Sequence, residues 1–301
     1  MIAFLFAGQG SQEVGMGHDF YEASLYAKEV YDKFPEIRDI CFKDENNILN
    51  ETKNAQKCML LTGYIISNIL KEKGIVPTYT AGLSLGEYTA LAFNNVWNLN
   101  DSIDIITKRG EIMQNALPLG TTKMAAILGL DRETILDAIK DTKGICEVAN
   151  YNCPGQIVIT GDNEGIKEGI DILSAKGAKR CIELNVSGAF HSSLLNNASN
   201  ELFNELVKYE NKNPDYKMVY NISGKEENKE LNDILKLQIK SSVYFEDSIK
   251  YMIEKGVDTL IEIGPGKALS GFVKKIDRNV KMYNVSTYES LIQLLEELKW
   301  R

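Results

Sequence analysis

A serine and a histidine are the residues of this chain whose setting suits nucleophilic catalysis. Ser84 lies in residues 82–86, which read Gly-Leu-Ser-Leu-Gly. This Gly-x-Ser-x-Gly pattern follows a β-prone run and precedes a helix-prone run, the context in which a serine hydroxyl is exposed on a sharp turn. The serine needs a base, usually histidine, and the chain has only two, His18 and His191. A serine–histidine mechanism therefore has very few possible arrangements here.

His191 is the better placed of the two histidines. It follows a predicted strand and turn and precedes a predicted helix, and loops of this kind commonly present catalytic groups. His18 lies in a Gly-Met-Gly-His-Asp segment and fits a surface residue at a helix start. On the residues alone, an ordinary glycine turn at Ser84 and a structural loop histidine at His191 remain open alternatives.

Gln9 and Arg109 are weaker candidates when each is considered alone. Gln9 lies between two glycines, and this loop is either a tight turn or a source of backbone N–H groups for an oxyanion. It is not a dinucleotide-binding loop, because Glu13 stands where the third glycine of Gly-x-Gly-x-x-Gly is required. Arg109 falls within a predicted helix, where a solvated arginine is the default interpretation.

Alternating strands and helices predict an α/β fold with a mainly parallel sheet covered on both faces. Sites in such sheets lie at the carboxyl ends of the strands, and the Gln9 loop and the Ser84 turn both follow predicted strands directly. Asn100 is the predicted cap of the helix that carries Arg109. The predicted strands of this sheet are residues 2–6, 78–81, 218–221, 259–263 and 282–285.

Residues 123–186 have a pattern of their own. Their predicted order of elements is β-α-β-β-α-β, that of a ferredoxin-like fold. We therefore predict a small ferredoxin-like subdomain at residues 123–186. It is inserted into a large catalytic α/β domain formed by residues 1–122 and 187–301.

The composition argues against several classes of protein. The net charge of −8 argues against general nucleic-acid binding, and no apolar run approaches the ~18 residues of a membrane span. The five cysteines lack the spacing of metal ligands, and the N-terminus resembles a first strand rather than a signal peptide. We therefore expect reduced thiols, no metal site and a cytoplasmic location, with a monomer as the default state.

Seven segments, in order along nearly the whole chain, together resemble the malonyl-CoA:acyl-carrier-protein transacylase family. They are residues 6–12 (Phe-Ala-Gly-Gln-Gly-Ser-Gln), 82–88 (Gly-Leu-Ser-Leu-Gly-Glu-Tyr), 108–114 (Lys-Arg-Gly-Glu-Ile-Met-Gln), 150–156 (Asn-Tyr-Asn-Cys-Pro-Gly-Gln), 187–191 (Ser-Gly-Ala-Phe-His), Gln238 with Val243 beyond it, and 262–267 (Glu-Ile-Gly-Pro-Gly-Lys). The order and extent of this match are far more specific than any one motif. The family has a hydrolase-like α/β domain with a ferredoxin-like insert, which agrees with the order of elements above.

The resemblance implies a role for each matching residue of the reaction centre. Ser84 would be the nucleophile and His191 its base. Gln238 is similar to the residue whose backbone carbonyl orients that histidine. The oxyanion hole would be formed by the N–H groups of Leu85 and Gln9.

The resemblance also implies how the substrate is held. Arg109 would pair with the free carboxylate of malonate through the two parallel hydrogen bonds that a guanidinium makes. Met113, one helical turn away, would wall the acyl pocket. Phe190 would leave little room for a methyl branch on the substrate, and Asn152 would be a further substrate contact. Leu83 departs from the family, many members of which have a histidine before the serine.

The implied function is transfer of a malonyl group from malonyl-CoA to the phosphopantetheine thiol of an acyl carrier protein in fatty-acid biosynthesis, through a malonyl-serine intermediate. The CoA thioester is a substrate, and no cofactor is implied. Three alternatives remain. They are a stand-alone acyltransferase of a polyketide synthase, a serine thioesterase or hydrolase with Asp162 as its acid, and a carrier-protein-binding scaffold without catalysis.

Overall fold

A five-stranded parallel sheet forms the centre of the larger part of the molecule. The computed structural model describes residues 1–186 and 188–299. The strands of this sheet are β1 (Ile2–Phe6), β2 (Tyr79–Gly82), β7 (Lys217–Met218), β8 (Thr259–Ile263) and β9 (Lys281–Val285). They lie in the order β7-β2-β1-β8-β9, with every neighbouring pair parallel.

Helices cover both faces of this sheet. They are α1 (His18–Ala23), α2 (Leu25–Lys33), α3 (Pro35–Phe42), α4 (Thr52–Glu72), α5 (Leu85–Phe93), α6 (Leu99–Asn115), α9 (Asn196–Leu206), α10 (Leu231–Gln238), α11 (Phe245–Glu254), α12 (Ala268–Ile276) and α13 (Tyr288–Lys299). Phe4 and Phe6 of β1 belong to one apolar core, whereas Ala3 and Leu5 belong to another. Because successive side chains of a strand point to opposite faces, the central strand is buried on both sides.

A second, antiparallel sheet is built from the middle of the chain. Its elements are β3 (Thr122–Leu128), α7 (Arg132–Ile139), β4 (Cys146–Cys153), β5 (Gln156–Asp162), α8 (Asn163–Ala175) and β6 (Arg180–Glu183). The strand order β4-β5-β3-β6 is the ferredoxin-like order. The predicted α/β fold class with a ferredoxin-like insert is confirmed.

The predicted boundaries of the insert stay a prediction. Strand β3 begins at Thr122, one residue before the predicted start, and β6 ends at Glu183. Ser187, at which the second catalytic segment was predicted to begin, lies outside the described residues, as do Trp300 and Arg301. No helix within the described ranges is long and apolar enough to cross a membrane.

Two local predictions are wrong. The cap of α6 is Asn98, whose side chain accepts a hydrogen bond from the Asp101 N–H, and not Asn100. The strand predicted at residues 218–221 ends at Met218. Beyond Val219 the chain leaves the sheet edge, because the Tyr220 N–H bonds the carbonyl of Lys225 in a turn instead. Local composition resembles a strand there, but the chain turns back at Tyr220 although β2 continues to Gly82.

The turn between β2 and α5 depends on two glycines. A Cβ atom on Gly86 would lie 2.1 Å from the carbonyl oxygen of Phe6, and one on Gly82 would lie 2.0 Å from the backbone of Gly86. The start of α5 therefore packs against the end of β1 at a distance that only glycine permits.

We predict that Gly86→Ala lowers the free energy of unfolding, because a methyl group has no room beside the backbone of β1. Overpacking typically costs about 1–3 kcal/mol. We expect a cost at the upper end of this range, because the atoms that a Cβ on Gly86 would meet belong to the backbone. Gly271, in α12, is the matched control, since a Cβ there meets nothing within 4 Å. Gly271→Ala should stabilise the protein by about 0.8–1 kcal/mol. Urea unfolding of both variants checks this, and equal stabilities would contradict it.

Candidate active site

Ser84 stands at the end of β2, just before the first residue of α5. Its backbone angles are φ 52° and ψ −104°, in the left-handed half of the backbone map that side-chain-bearing residues rarely adopt. The conformation directs the side chain toward His191, whose Nε2 lies 2.7 Å from the Ser84 Oγ. The structure therefore brings together the predicted nucleophile and base.

Two side chains hold the backbone of Ser84 from the C-terminal part of the chain. The Ser84 N–H donates to Oδ1 of Asn221 at 2.8 Å, and Nε2 of Gln238 donates to the Ser84 carbonyl at 2.8 Å. Both peptide groups of the residue are therefore fixed by long-range contacts.

His191 also has an unusual backbone, with φ 58°. Its N–H donates to the carbonyl of Ile239 at 3.2 Å, and its Nδ1 lies 2.9 Å from the carbonyl oxygen of Gln238. A carbonyl can only accept, so Nδ1 carries the proton and Nε2 is left with a lone pair facing Ser84. The predicted contact between His191 and the Gln238 backbone is present.

Burial keeps this histidine neutral. The pKa of His191 is lowered from 6.5 to about 4, mainly by burial and in addition by the positive charge of Arg109. A neutral imidazole is the form that can accept a proton from the serine hydroxyl. His191 is therefore neutral at neutral pH, the form that the predicted base requires.

Arg109 is a fully buried cation beside the serine. Its Nη2 donates to Ser84 Oγ and to Gln238 Oε1, each at 3.2 Å, and its Nη1 donates to Gln56 Oε1 at 2.7 Å. Its guanidinium carbon lies 4.8 Å from the ring centroid of Tyr88. Burial lowers the pKa of Arg109, but an arginine stays protonated in proteins.

The charge of Arg109 has no carboxylate partner within 4 Å among the residues that the structure describes. Amide oxygens and an aromatic face surround it instead. A buried charge is costly unless it is paired. This arrangement therefore favours the binding of an anion next to Ser84.

A cavity of about 900 Å³ opens onto the serine. Six of the predicted site residues line it: Gln9, Ser84, Met113, Asn152, Phe190 and His191. The remaining three, Leu85, Arg109 and Gln238, are buried around Ser84. Asn152 is 5% exposed and its Oδ1 has no hydrogen-bond partner in the described part of the chain, so this acceptor is available to a bound donor.

The backbone N–H groups predicted for the oxyanion hole belong to Leu85, the residue after Ser84, and to Gln9, which lines the same cavity as Ser84. The Leu85 N–H is at the N-terminus of α5, where backbone N–H groups favour negative charge. The Gln9 side chain points to Thr52 and Gln56, with contacts of 3.4 Å to each. Within residues 1–186 and 188–299, no acceptor takes the N–H of Leu85 or Gln9. Their role in an oxyanion hole stays a prediction.

Two residues of the site were missed in the sequence. Gln56 holds Arg109, and Asn221 holds Ser84. Gln56 gives no clear signal in the sequence, because it is one of several polar residues of α4 that the fold buries. Asn221 gives no local signal, because it lies in a turn and acts on a residue far away in sequence.

The other candidates have ordinary structural roles. The side chain of His18 is 56% exposed and lies 3.7 Å from Glu22. Asp162 caps α8 by accepting a hydrogen bond from the Gly165 N–H at 2.7 Å. The residue considered as the acid of a hydrolase therefore has a structural role in the insert. All five cysteines are free thiols. Among the described residues, no group of three or more potential metal ligands is assembled.

Known proteins share both the sequence and this fold. The acyl transferase domain family matches residues 3–293. The malonyl CoA-acyl carrier protein transacylase of Bacillus subtilis (strain 168) is 41% identical over 99% of this chain and 97% of its own length. The chain belongs to the malonyl CoA-acyl carrier protein transacylase family of acyl transferases.

Solved structures of this family superpose closely. The malonyl CoA-acyl carrier protein transacylase of Clostridium perfringens has a TM-score of 0.96 at 39% identity and covers 99% of this chain and 97% of its own. A malonyl-transacylase in complex with a type II polyketide synthase acyl-carrier protein has a TM-score of 0.94 at 33% identity. It covers 98% of this chain and 99% of its own. The chain is thus an acyltransferase in sequence and in fold.

We predict that the reactivity of Ser84 stays nearly constant between about pH 8 and about pH 5 and falls below that range, because the neutral form of His191 persists down to its low pKa. Arg109→Ala removes a charge that lowers this pKa, so the fall should move to higher pH. It should stay below pH 6.5, since burial remains.

The rate at which a sulfonyl fluoride labels Ser84 measures this dependence, with circular dichroism at each pH as a control for acid unfolding. A wild-type midpoint at the ordinary histidine value of 6.5 would show that burial does not set the basicity of His191.

Proposed function

We propose that this chain transfers a malonyl group from malonyl-CoA to the phosphopantetheine thiol of an acyl carrier protein. The observation that carries the proposal is the double contact at Ser84 Oγ, with His191 Nε2 at 2.7 Å and Arg109 Nη2 at 3.2 Å. One neighbour can take a proton and the other can hold an anion. A substrate with a thioester and a free carboxylate three bonds from the acylated oxygen fits both.

The first half-reaction acylates the enzyme. Ser84 Oγ attacks the thioester carbonyl while its proton passes to Nε2 of His191. The N–H groups of Leu85 and Gln9 stabilise the oxyanion. The carbon–sulfur bond then breaks, and the CoA sulfur takes the proton from His191, which leaves a malonyl ester on Ser84.

The second half-reaction reverses these steps with a different thiol. The thiol of the carrier protein gives its proton to His191 and attacks the ester carbonyl. Ser84 leaves with that proton, and the malonyl thioester of the carrier protein forms. Each half-reaction uses His191 as its base and regenerates it, so the proposed reaction needs no cofactor.

Specificity for malonate rests on Arg109. The malonyl carboxylate offers two oxygens to a guanidinium whose Gln56, Gln238 and Tyr88 contacts fix its plane. Phe190 and Met113 line the cavity as apolar walls, and a methyl branch on the substrate would meet the Phe190 ring.

The test of the function is the acyl-enzyme. Mixing the protein with malonyl-CoA should give a single malonyl adduct by intact-protein mass spectrometry. The adduct should be absent from Ser84→Ala and should discharge when a holo acyl carrier protein is added. Discharge into water at the same rate without carrier protein would favour the hydrolase. Carrier proteins from fatty-acid and polyketide systems, compared side by side, separate those two pathways.

We predict that Arg109→Ala lowers kcat/KM for malonyl transfer by about two to three powers of ten, because it removes the charged partner of a buried carboxylate, an interaction whose loss costs roughly 3–5 kcal/mol. Acetyl transfer should fall much less. Arg109→Lys should restore only part of the malonyl rate, since an ammonium cannot form two parallel hydrogen bonds.

The quantity to measure is the ratio of malonyl to acetyl kcat/KM in the wild type and each variant. Arg132 provides a matched control, because its guanidinium forms an ion pair with Asp247 at 2.7 Å and stacks on Tyr151. Arg132→Ala should leave the ratio unchanged. If Arg109→Ala lowers both activities equally, Arg109 is structural and does not select malonate.

We further propose that the enzyme works as a cytoplasmic monomer. The acidic composition and the five free thiols support this proposal. Size-exclusion chromatography with light scattering tests the oligomeric state.

A further inference from the structure

Asn221 connects the two peptide groups on either side of Leu83 at the nucleophile turn. Its Nδ2 donates to the carbonyl of Gly82 at 2.7 Å, and its Oδ1 accepts from the Ser84 N–H at 2.8 Å. The side chain is buried and does not line the cavity. It therefore contacts the backbone of the turn without being able to touch a substrate.

The backbone of Asn221 is itself held at both ends. Its N–H donates to Oε2 of Glu87 at 2.6 Å, and its carbonyl accepts from the Tyr244 N–H at 2.8 Å. Glu87 lies in the first turn of α5, three residues after Ser84. These backbone contacts fix the position of the Asn221 carboxamide independently of its own contacts with the turn. A rigid support requires such an anchor.

The turn needs such a support. A residue with a side chain and a positive φ costs of order 1–3 kcal/mol and persists only where its surroundings enforce it. If the turn relaxed toward a common conformation, Ser84 Oγ would move away from His191 Nε2. A misplacement of about 1 Å can lower a catalysed rate on the order of 10²-fold.

We propose that Asn221 is a positioning residue of this enzyme, whose carboxamide holds the strained backbone of Ser84 and so keeps the hydroxyl within reach of His191. The inference rests on the nucleophilic role proposed for Ser84. It adds a residue that contacts the turn and, through Oδ1 at 3.4 Å, Nε2 of Gln238, but no substrate.

Asn94 provides a matched control at the other end of α5. It is also a buried asparagine, with Nδ2 donating to Thr80 Oγ1 and to the Ala90 carbonyl at 2.8 Å each, and Oδ1 accepting from the Tyr216 N–H at 2.7 Å. Asn94→Ala removes a comparable set of hydrogen bonds from the same layer of the fold. It therefore reports the effect of lost stability alone.

The test uses phenylmethylsulfonyl fluoride, which reacts with a nucleophilic serine without requiring malonyl-CoA. The Oγ–S bond forms as the S–F bond breaks, and the serine proton passes to His191. Asn221→Ala should label at Ser84 on the order of 10²-fold more slowly than the wild type, whereas Asn94→Ala should keep the wild-type rate. Malonyl transfer should show the same loss in kcat with little change in KM.

Asn221→Asp distinguishes positioning from stability and covers the case in which Asn221→Ala does not fold. A protonated aspartic acid has the shape of asparagine, with one acceptor and one O–H donor, so it can restore both contacts to the turn. An ionised aspartate cannot donate to the Gly82 carbonyl. The ionisable groups around the turn are Glu87, Arg109, His191 and Tyr220. The labelling rate of this variant relative to wild type should therefore be highest at low pH and fall as pH rises.

Three results would overturn the proposal. Equal labelling rates for Asn221→Ala and Asn94→Ala, or a pH-independent ratio for Asn221→Asp, would make Asn221 a structural residue while Ser84 remained the nucleophile. Absence of labelling at Ser84 in the wild type would remove the nucleophile and the positioning role together. The mass of the malonyl adduct is measured separately. An error in the proposed substrate is therefore distinguished from an error in the role of Asn221.

Discussion

The backbone of one residue, held in a conformation it does not prefer, is the constraint on which the rest of this structure depends. Ser84 has φ 52° and ψ −104°. Gly82 and Gly86 leave room for the sharp turn, and Asn221 and Gln238 bind its two peptide groups. These contacts from separate parts of the chain together position the Ser84 hydroxyl oxygen.

The electrostatics of the site follow from a buried cation. Arg109 lies against Ser84 Oγ, and its charge adds to burial in lowering the pKa of His191. The enzyme thereby keeps its base neutral, at the cost of making it weaker. A carboxylate that binds Arg109 would offset the same charge. In the proposed function, recognition of the substrate and the basicity of His191 are therefore coupled through the Arg109 guanidinium.

Prediction from the sequence succeeded where the signal is local. Strands β1 and β8 have the predicted bounds, and Ser84 and His191 meet as their motifs indicate. It failed where the deciding partner is distant. Asn221 was missed because its partners in the turn, Gly82 and Ser84, are more than a hundred residues away. Choices between neighbouring residues also failed. Asn98 rather than Asn100 caps α6, and the strand at residue 218 stops early because the chain turns back at Tyr220.

The attachment of the insert has a consequence for protein engineering. Strand β4 pairs with the segment around Val243 through hydrogen bonds in both directions between Val243 and residues 149 and 151, and Gln238, which orients His191, lies five residues before Val243. Arg132 of the insert also binds Asp247. A chimera that exchanged residues 122–183 alone would place foreign side chains against this native segment, close to the contact between Gln238 and His191. The unit that can be exchanged between relatives is therefore the insert together with residues 238–247. These two segments are distant in sequence but contact each other in the fold.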